Sequence, residues 1–190
     1  AFSEFGAINI LLNNAASKSS NLKNFFKKTE DYSLDTWNEV MSVNLTSYFL
    51  VARNVGKLMA LRKKGSIIQI ASIYGATMAP DQRIYDGAKY LDLEINSPAV
   101  YSASKGGVLG LSNYLATYWA KDGVRVNTLT PGGVLSGQNE VFIENYSKRV
   151  PMERMAEAHE IVSALIFLAS DASSYITGQN IHIDGGLSVW

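Results

Sequence analysis

Four short stretches of the chain are apolar without alternation: residues 8–12, 66–71, 124–129 and 180–183. Continuous apolar runs of this length suit strands covered on both faces, as in a parallel sheet. Between them the period changes. Over residues 34–64 apolar side chains recur at Val40, Val43, Phe49, Val51, Val55, Leu58 and Met59, and over residues 99–121 at Val108, Leu111, Leu115 and Trp119. Both patterns predict long amphipathic helices. A third helix is expected over about residues 157–170. Glu157 and Glu160 at its start complement the positive end of the helix dipole, and Ile161, Leu165 and Leu168 turn inward. Strands alternating with helices imply right-handed βαβ units, so the expected fold is α/β, with a doubly wound parallel sheet in one domain. Residues 74–98 and 131–151 break the alternation and are too long for ordinary connections, which predicts lids, insertions or substrate loops there.

Composition narrows the function without choosing it. The chain has 190 residues, 47% of them hydrophobic, which is enough for one core. Lys+Arg and Asp+Glu both number 17, so no net field draws it to nucleic acid or an anionic membrane, and neither partner is expected. With no cysteine there is no disulfide, thiolate metal site or cysteine nucleophile. His159 and His182 lack ligand spacing, and no metal site is expected. Apolar runs such as residues 164–169 fall far short of the roughly 20 that span a bilayer, and a cytoplasmic protein is the default. Because strand character begins within a dozen residues of Ala1, the chain is expected to be the C-terminal part of a larger unit.

Tyr101 and Lys105 stand four residues apart at the start of a predicted helix and therefore share a face. A phenol with an ordinary pKa near 10 is a poor base at neutral pH, and a neighbouring cation favours its ionised form. The spacing alone discriminates little, because Tyr85 and Lys89 repeat it. Tyr85 lies 13 residues after Ser72 and Tyr101 lies 29 after it. The flanks separate the two. Tyr101 opens a long helical pattern containing Gly106-Gly107, whereas Tyr85 is followed by Tyr90, Asn96 and Pro98, which oppose a helix. Residues 79–98 are accordingly read as an insertion. The aromatics Phe25, Phe26, Trp37, Tyr114, Tyr118 and Trp119 are expected in the core or at subunit contacts.

These elements occur in an order that resembles the short-chain dehydrogenase/reductase family from about Phe5 to the end of the chain. Asn13-Asn14-Ala15-Ala16 is similar to that family's Asn-Asn-Ala-Gly element, with Ala16 in place of the usual glycine. Asn44 matches the helix asparagine, Ser72 the catalytic serine, and Tyr101 with Lys105 the Tyr-x-x-x-Lys pair. Pro131-Gly132-Gly133-Val134 resembles the turn beside the nicotinamide, and Thr177-Gly178-Gln179 with Asp184-Gly185-Gly186 the usual ending. The resemblance implies a Rossmann-like three-layer fold lacking its N-terminal βαβ units, and an oxidoreductase using NAD or NADP.

It also implies roles. Tyr101 would exchange a proton with the substrate oxygen, and Ser72 would hold that oxygen. Lys105 would lower the Tyr101 pKa and grip the nicotinamide ribose. Asn44 would bind a water that relays protons toward Lys105. Asn14 and Ala15 would line the cofactor cleft near the adenosine ribose, with Pro131, Gly132 and Val134 around the carboxamide.

No Gly-x-x-x-Gly-x-Gly occurs in the chain. Pyrophosphate in doubly wound folds sits on such a turn, so only part of the cofactor site is expected and residues 8–12 should form a bare sheet edge. Weak dinucleotide binding by these residues alone follows. Within the family the two long helices pair subunits, implying a homodimer or homotetramer. The expected substrate is a small alcohol or ketone. The Ser72-Ile73-Tyr74-Gly75 start of the segment 72–98 resembles members acting on sugars or sugar nucleotides. The alternatives are a 3-oxoacyl-carrier-protein reductase and a non-catalytic binding or structural subunit.

Overall fold

The computed structural model describes residues 2–190. Its strands are β1 (Ile10–Asn13), β2 (Gly65–Ile70), β3 (Lys89–Tyr90), β4 (Leu93–Glu94), β5 (Val124–Pro131) and β6 (Asn180–Ile183). Four of them form one parallel sheet in the order β1-β2-β5-β6. The main helices are α1 (Leu34–Met41), α2 (Ser47–Leu61), α3 (Ala99–Trp119), α4 (Glu140–Ser147) and α5 (Ala158–Ala169).

Alternation along β2 explains its central pair, Ile67-Ile68. Ile67 packs with Ala52 and Met59 of α2 and with Leu115 and Trp119 of α3. Ile68 points the other way, against Leu168 of α5. Successive strand side chains face opposite layers, so a strand with helices on both sides is buried at every step, and its polar members are hydrogen-bonded, Ser66 donating to the Leu168 carbonyl at 2.8 Å and Gln69 accepting from Asn13 at 2.8 Å. β1 pairs with β2 alone among the described residues, and Ile10 is half exposed beside that edge.

Two sequence expectations are corrected. The helix predicted over 34–64 ends at Leu61 and is interrupted by a π turn, Ser42–Thr46, between α1 and α2. The extra residue in that turn brings Asn44 fully inside. The stretch 131–151 is not all loop, because Asn139 caps α4 by accepting the Phe142 N–H at 2.8 Å. Within the insertion, β3 and β4 form a small antiparallel hairpin whose turn residues, Leu91 and Asp92, both have positive φ. Asp81 ties this segment to the chain after α4 through Arg149, at 2.5 Å.

Candidate active site

The C-terminal ends of β2 and β5 and the first turns of α3 meet at one cleft of about 380 Å3. Ser72 leaves β2 in an extended conformation, and its hydroxyl accepts the Tyr74 N–H at 3.2 Å, capping the short turn Ile73–Ala76. That turn lies directly on α3. Gly75 has φ +102°, and a Cβ there would sit 2.0 Å from the Ser102 carbonyl oxygen, so only glycine permits the approach. The close fit brings Ser72 beside Tyr101, the third residue of α3, and both line the cleft. Burial pushes the Tyr101 phenol above its ordinary value, and the Ser72 hydroxyl pulls it partly back.

One turn along α3, the Lys105 ammonium is buried and donates to the Ile70 carbonyl at 2.9 Å. Desolvation lowers its pKa to about 8. The aromatic ring of Tyr48 lies beneath it, 5.7 Å from the nitrogen, and the Tyr48 hydroxyl donates to the same carbonyl at 3.4 Å. Behind this group, Asn44 accepts the Ser17 N–H at 2.8 Å and donates to the Ser104 hydroxyl at 3.4 Å. Ser104 in turn donates to the Tyr101 carbonyl at 2.8 Å. A chain of hydrogen bonds thus runs from the loop after β1, through the π turn, to the turn of α3 that carries Tyr101.

Gly132 and Val134 line the cleft with Ser72 and Tyr101, and Pro131 ends β5 at its edge. The Gly133 N–H donates to the Tyr146 hydroxyl at 2.5 Å, and a Cβ on Gly133 would stand 2.6 Å from the Tyr146 ring. Asn14 and Ala15 are exposed just past β1 and do not line this cleft. It is Asn13 that turns inward, donating to Gln69 at 2.8 Å and to the Tyr48 carbonyl at 3.2 Å.

The second Tyr and Lys at the same spacing fall on different elements. Tyr85 ends the short turn Gln82–Tyr85 and stacks on Phe142 at 5.5 Å, while Lys89 is exposed on β3. They share no helix face. Yet Tyr85 does line the cleft, as do Lys89, Tyr90, Tyr146 and, from the loop after β1, Lys18. Tyr85, Lys89, Tyr90 and Tyr146 fall in the two stretches expected to hold substrate loops, whereas sequence reading gave Lys18 no role. The one available signal was the polar, aromatic character of the insertion. Among the described residues no group of His, Asp or Glu is arranged to hold a metal, and no helix is long and apolar enough to cross a membrane.

Comparisons with known proteins agree with this geometry. Residues 1–91 match the family model described as short chain dehydrogenase, and residues 90–188 match the one described as Enoyl-(Acyl carrier protein) reductase. The chain is 36% identical over 185 residues to a 3-oxoacyl-acyl-carrier-protein reductase of Buchnera aphidicola, covering 95% of this chain and 67% of that protein. It is 36% identical over 191 residues to the D-threitol dehydrogenase of Mycolicibacterium smegmatis, covering 98% and 65%. A crystal structure of a short chain dehydrogenase from Leptospira borgpetersenii with bound NAD+ superposes with a TM-score of 0.85 at 36% identity, covering 98% of this chain and 67% of that one. A gluconate 5-dehydrogenase from Burkholderia cenocepacia, in complex with NADP and tartrate, gives 0.82 at 31%, covering 100% and 68%.

Proposed function

This chain belongs to the short-chain dehydrogenase/reductase family, and we propose that within it Tyr101 is the proton-exchanging acid and base of an NAD(P)-dependent oxidation of a secondary alcohol or reduction of a ketone. The observation that carries this reading is the convergence of Ser72 and Tyr101 in one cleft, with the Lys105 ammonium buried one helical turn behind the phenol.

The residues present fit a nicotinamide nucleotide. Lys105 directs one N–H to Ile70 and has two further donors for the hydroxyls of a ribose. Gly132 and Val134 line the cleft where the carboxamide would lie, next to Pro131 at the end of β5, and Asn14 and Ala15 leave the end of β1 open on the adenosine side. When bound, the cofactor supplies or accepts the hydride.

The chain's own residues do the rest. Ser72 donates a hydrogen bond to the substrate oxygen and fixes it beside the Tyr101 hydroxyl. In reduction Tyr101 gives its proton to that oxygen as negative charge develops, and in oxidation the phenolate removes it. The Lys105 charge, one helical turn along α3 from Tyr101, would favour the phenolate. Asn44, held in the π turn by Ser17 and Ser104, orders the polar chain behind the site and provides the place for a relaying water.

For the substrate we favour a small polyhydroxylated alcohol or ketone. The phenols of Tyr85, Tyr90 and Tyr146 and the hydroxyl of Ser136 line the cleft and can exchange hydrogen bonds with substrate hydroxyls. Reduction of a 3-oxoacyl thioester is the second reading, favoured by the similarity to carrier-protein reductases. Steady-state assays with NADH and NADPH, comparing acetoacetyl thioesters with keto sugars, separate the two. A kcat/KM for the thioester well above that for every keto sugar rejects the first reading, and turnover of neither class rejects both.

A further inference from the structure

We infer that the substrate carries an anionic group, a carboxylate or a phosphate ester, which Lys18 and Lys89 bind at the mouth of the cleft. The inference rests on the proposed reaction only in taking this cleft as the substrate's. Its support is the charge of the lining. Of the residues forming the cleft, two are lysines, and none is an aspartate or glutamate. Both ammoniums are on exposed residues, and among the described residues neither takes part in an ion pair.

Lys18 is not pointing at random into solvent. Its nitrogen lies 4.9 Å from the centre of the Tyr90 ring, a cation–π contact that joins the loop after β1 to the hairpin of the insertion. Lys89 precedes Tyr90 on the same strand, and its carbonyl accepts from Asn139, the cap of α4. Three separate segments therefore place the two cations over one opening. The acids nearest in the chain do not neutralise them there. Glu94, opposite Lys89 across the hairpin, and Asp86 line a neighbouring groove that Lys89 also borders, and among the described residues neither forms an ion pair with it.

The side-chain amides of the lining are occupied. Asn96 donates to the Phe26 carbonyl, Gln138 to Val134 and Ser136, and Asn139 to Lys89. Strong donors free for a ligand are the hydroxyls at the catalytic end and the two ammoniums at the mouth. Between them the walls are aromatic, from Phe25, Phe26, Tyr85 and Phe142. An oxo or hydroxy compound with its charge at the far end from the reacting carbon matches that distribution. Two like charges facing one opening repel, and an anion between them removes the repulsion.

The test is calorimetric titration of the full-length protein with D-gluconate, D-glucitol 6-phosphate and uncharged D-glucitol, on the wild type and on Lys18→Gln, Lys89→Gln and the double variant. At least one of the two anions should bind about 10-fold or more tightly than D-glucitol, weaken with added salt, and fall to parity with it in the double variant while D-glucitol binding stays unchanged. The order of the two anions identifies carboxylate or phosphate as the preferred group. Equal binding of all three, binding of none, or an equal loss for the uncharged polyol in the double variant overturns the inference. Turnover of D-glucitol and D-gluconate with NAD+ and NADP+ is measured alongside. Turnover without charge discrimination rejects the anion site and leaves the reaction standing, whereas charge-selective binding without turnover of any alcohol or ketone does the reverse.

Discussion

The Lys105 ammonium donates to the carbonyl oxygen of Ile70, the last residue of β2, at 2.9 Å. Two residues farther on the same chain is Ser72, and one helical turn back along α3 is Tyr101. A single contact therefore fixes the cation relative to both residues that would touch the substrate oxygen. It also buries a charge, which is costly, and the lowering of the Lys105 pKa to about 8 expresses that cost.

Lys105→Met should consequently separate stability from activity. In the unfolded chain the lysine holds its proton up to about pH 10.4, while in the folded protein it does so only up to about 8. The unfolded state binds more protons between those values, so wild-type stability rises with pH across that window. The shift corresponds to roughly 3 kcal/mol of burial cost, fully present below pH 8. The methionine variant is expected to be the more stable protein at pH 7, by up to about that amount less the lost Ile70 hydrogen bond, roughly 1 kcal/mol. Its advantage should shrink as pH approaches 10, and its kcat should fall by about 100-fold or more. Urea unfolding at pH 7 and 10 checks the first part; a variant less stable than wild type at pH 7 contradicts it.

Ser72→Ala tests the hydroxyl that opposes burial at Tyr101. Without it the phenol pKa rises further. Alcohol oxidation needs the phenolate, so the rising acid limb of kcat/KM should move to higher pH in the variant. The maximal rate should drop by about 100-fold or more through loss of a donor to the substrate oxygen. A pH profile with its acid limb unmoved shows that Ser72 does not act on Tyr101.

The exposed faces of α2 and α3 carry large apolar side chains, among them Phe49, Leu50, Tyr114 and Tyr118, and the two tyrosines stack at 5.8 Å. We propose that these faces pair two subunits. Sedimentation at micromolar concentration should give a dimer or tetramer, and Leu50→Asp with Tyr118→Asp should reduce it to a smaller species. A wild type that is monomeric under those conditions rules this out.

Much of the fold was legible because burial on both faces leaves a simple mark. Runs such as Ile67-Ile68 have no polar step, and the helices of 99–119 and 158–169 keep their period to within a few residues. Their order pointed to Ser72, Tyr101, Gly132 and Val134 as candidates, and these four line one cleft. What the sequence hid depends on packing between distant segments. Asn13 and Asn14 are indistinguishable as letters, but strand alternation sends Asn13 inward to Gln69 and leaves Asn14 outside. The π turn has no compositional signature, and the partner its Asn44 meets, the Ser17 N–H, lies 27 residues away. Lys18 and Tyr90 meet only because the insertion folds back over the loop after β1. Gln69, a glutamine directly after Ile67-Ile68 in a buried strand, was the overlooked clue to the network around Asn13.

Tyr85 gives the central claim its sharpest control, since it lines the same cleft as Tyr101 and has a lysine at the same spacing, but no ammonium buried behind it. The decisive measurement is the single-turnover rate of nicotinamide oxidation by a keto substrate, followed by absorbance, for the full-length wild type, Tyr101→Phe and Tyr85→Phe. Tyr101→Phe should lose about 1000-fold or more with cofactor binding retained, and Tyr85→Phe less than about 10-fold. Comparable losses in both variants, or a larger one in Tyr85→Phe, would contradict the assignment of Tyr101 as the proton donor.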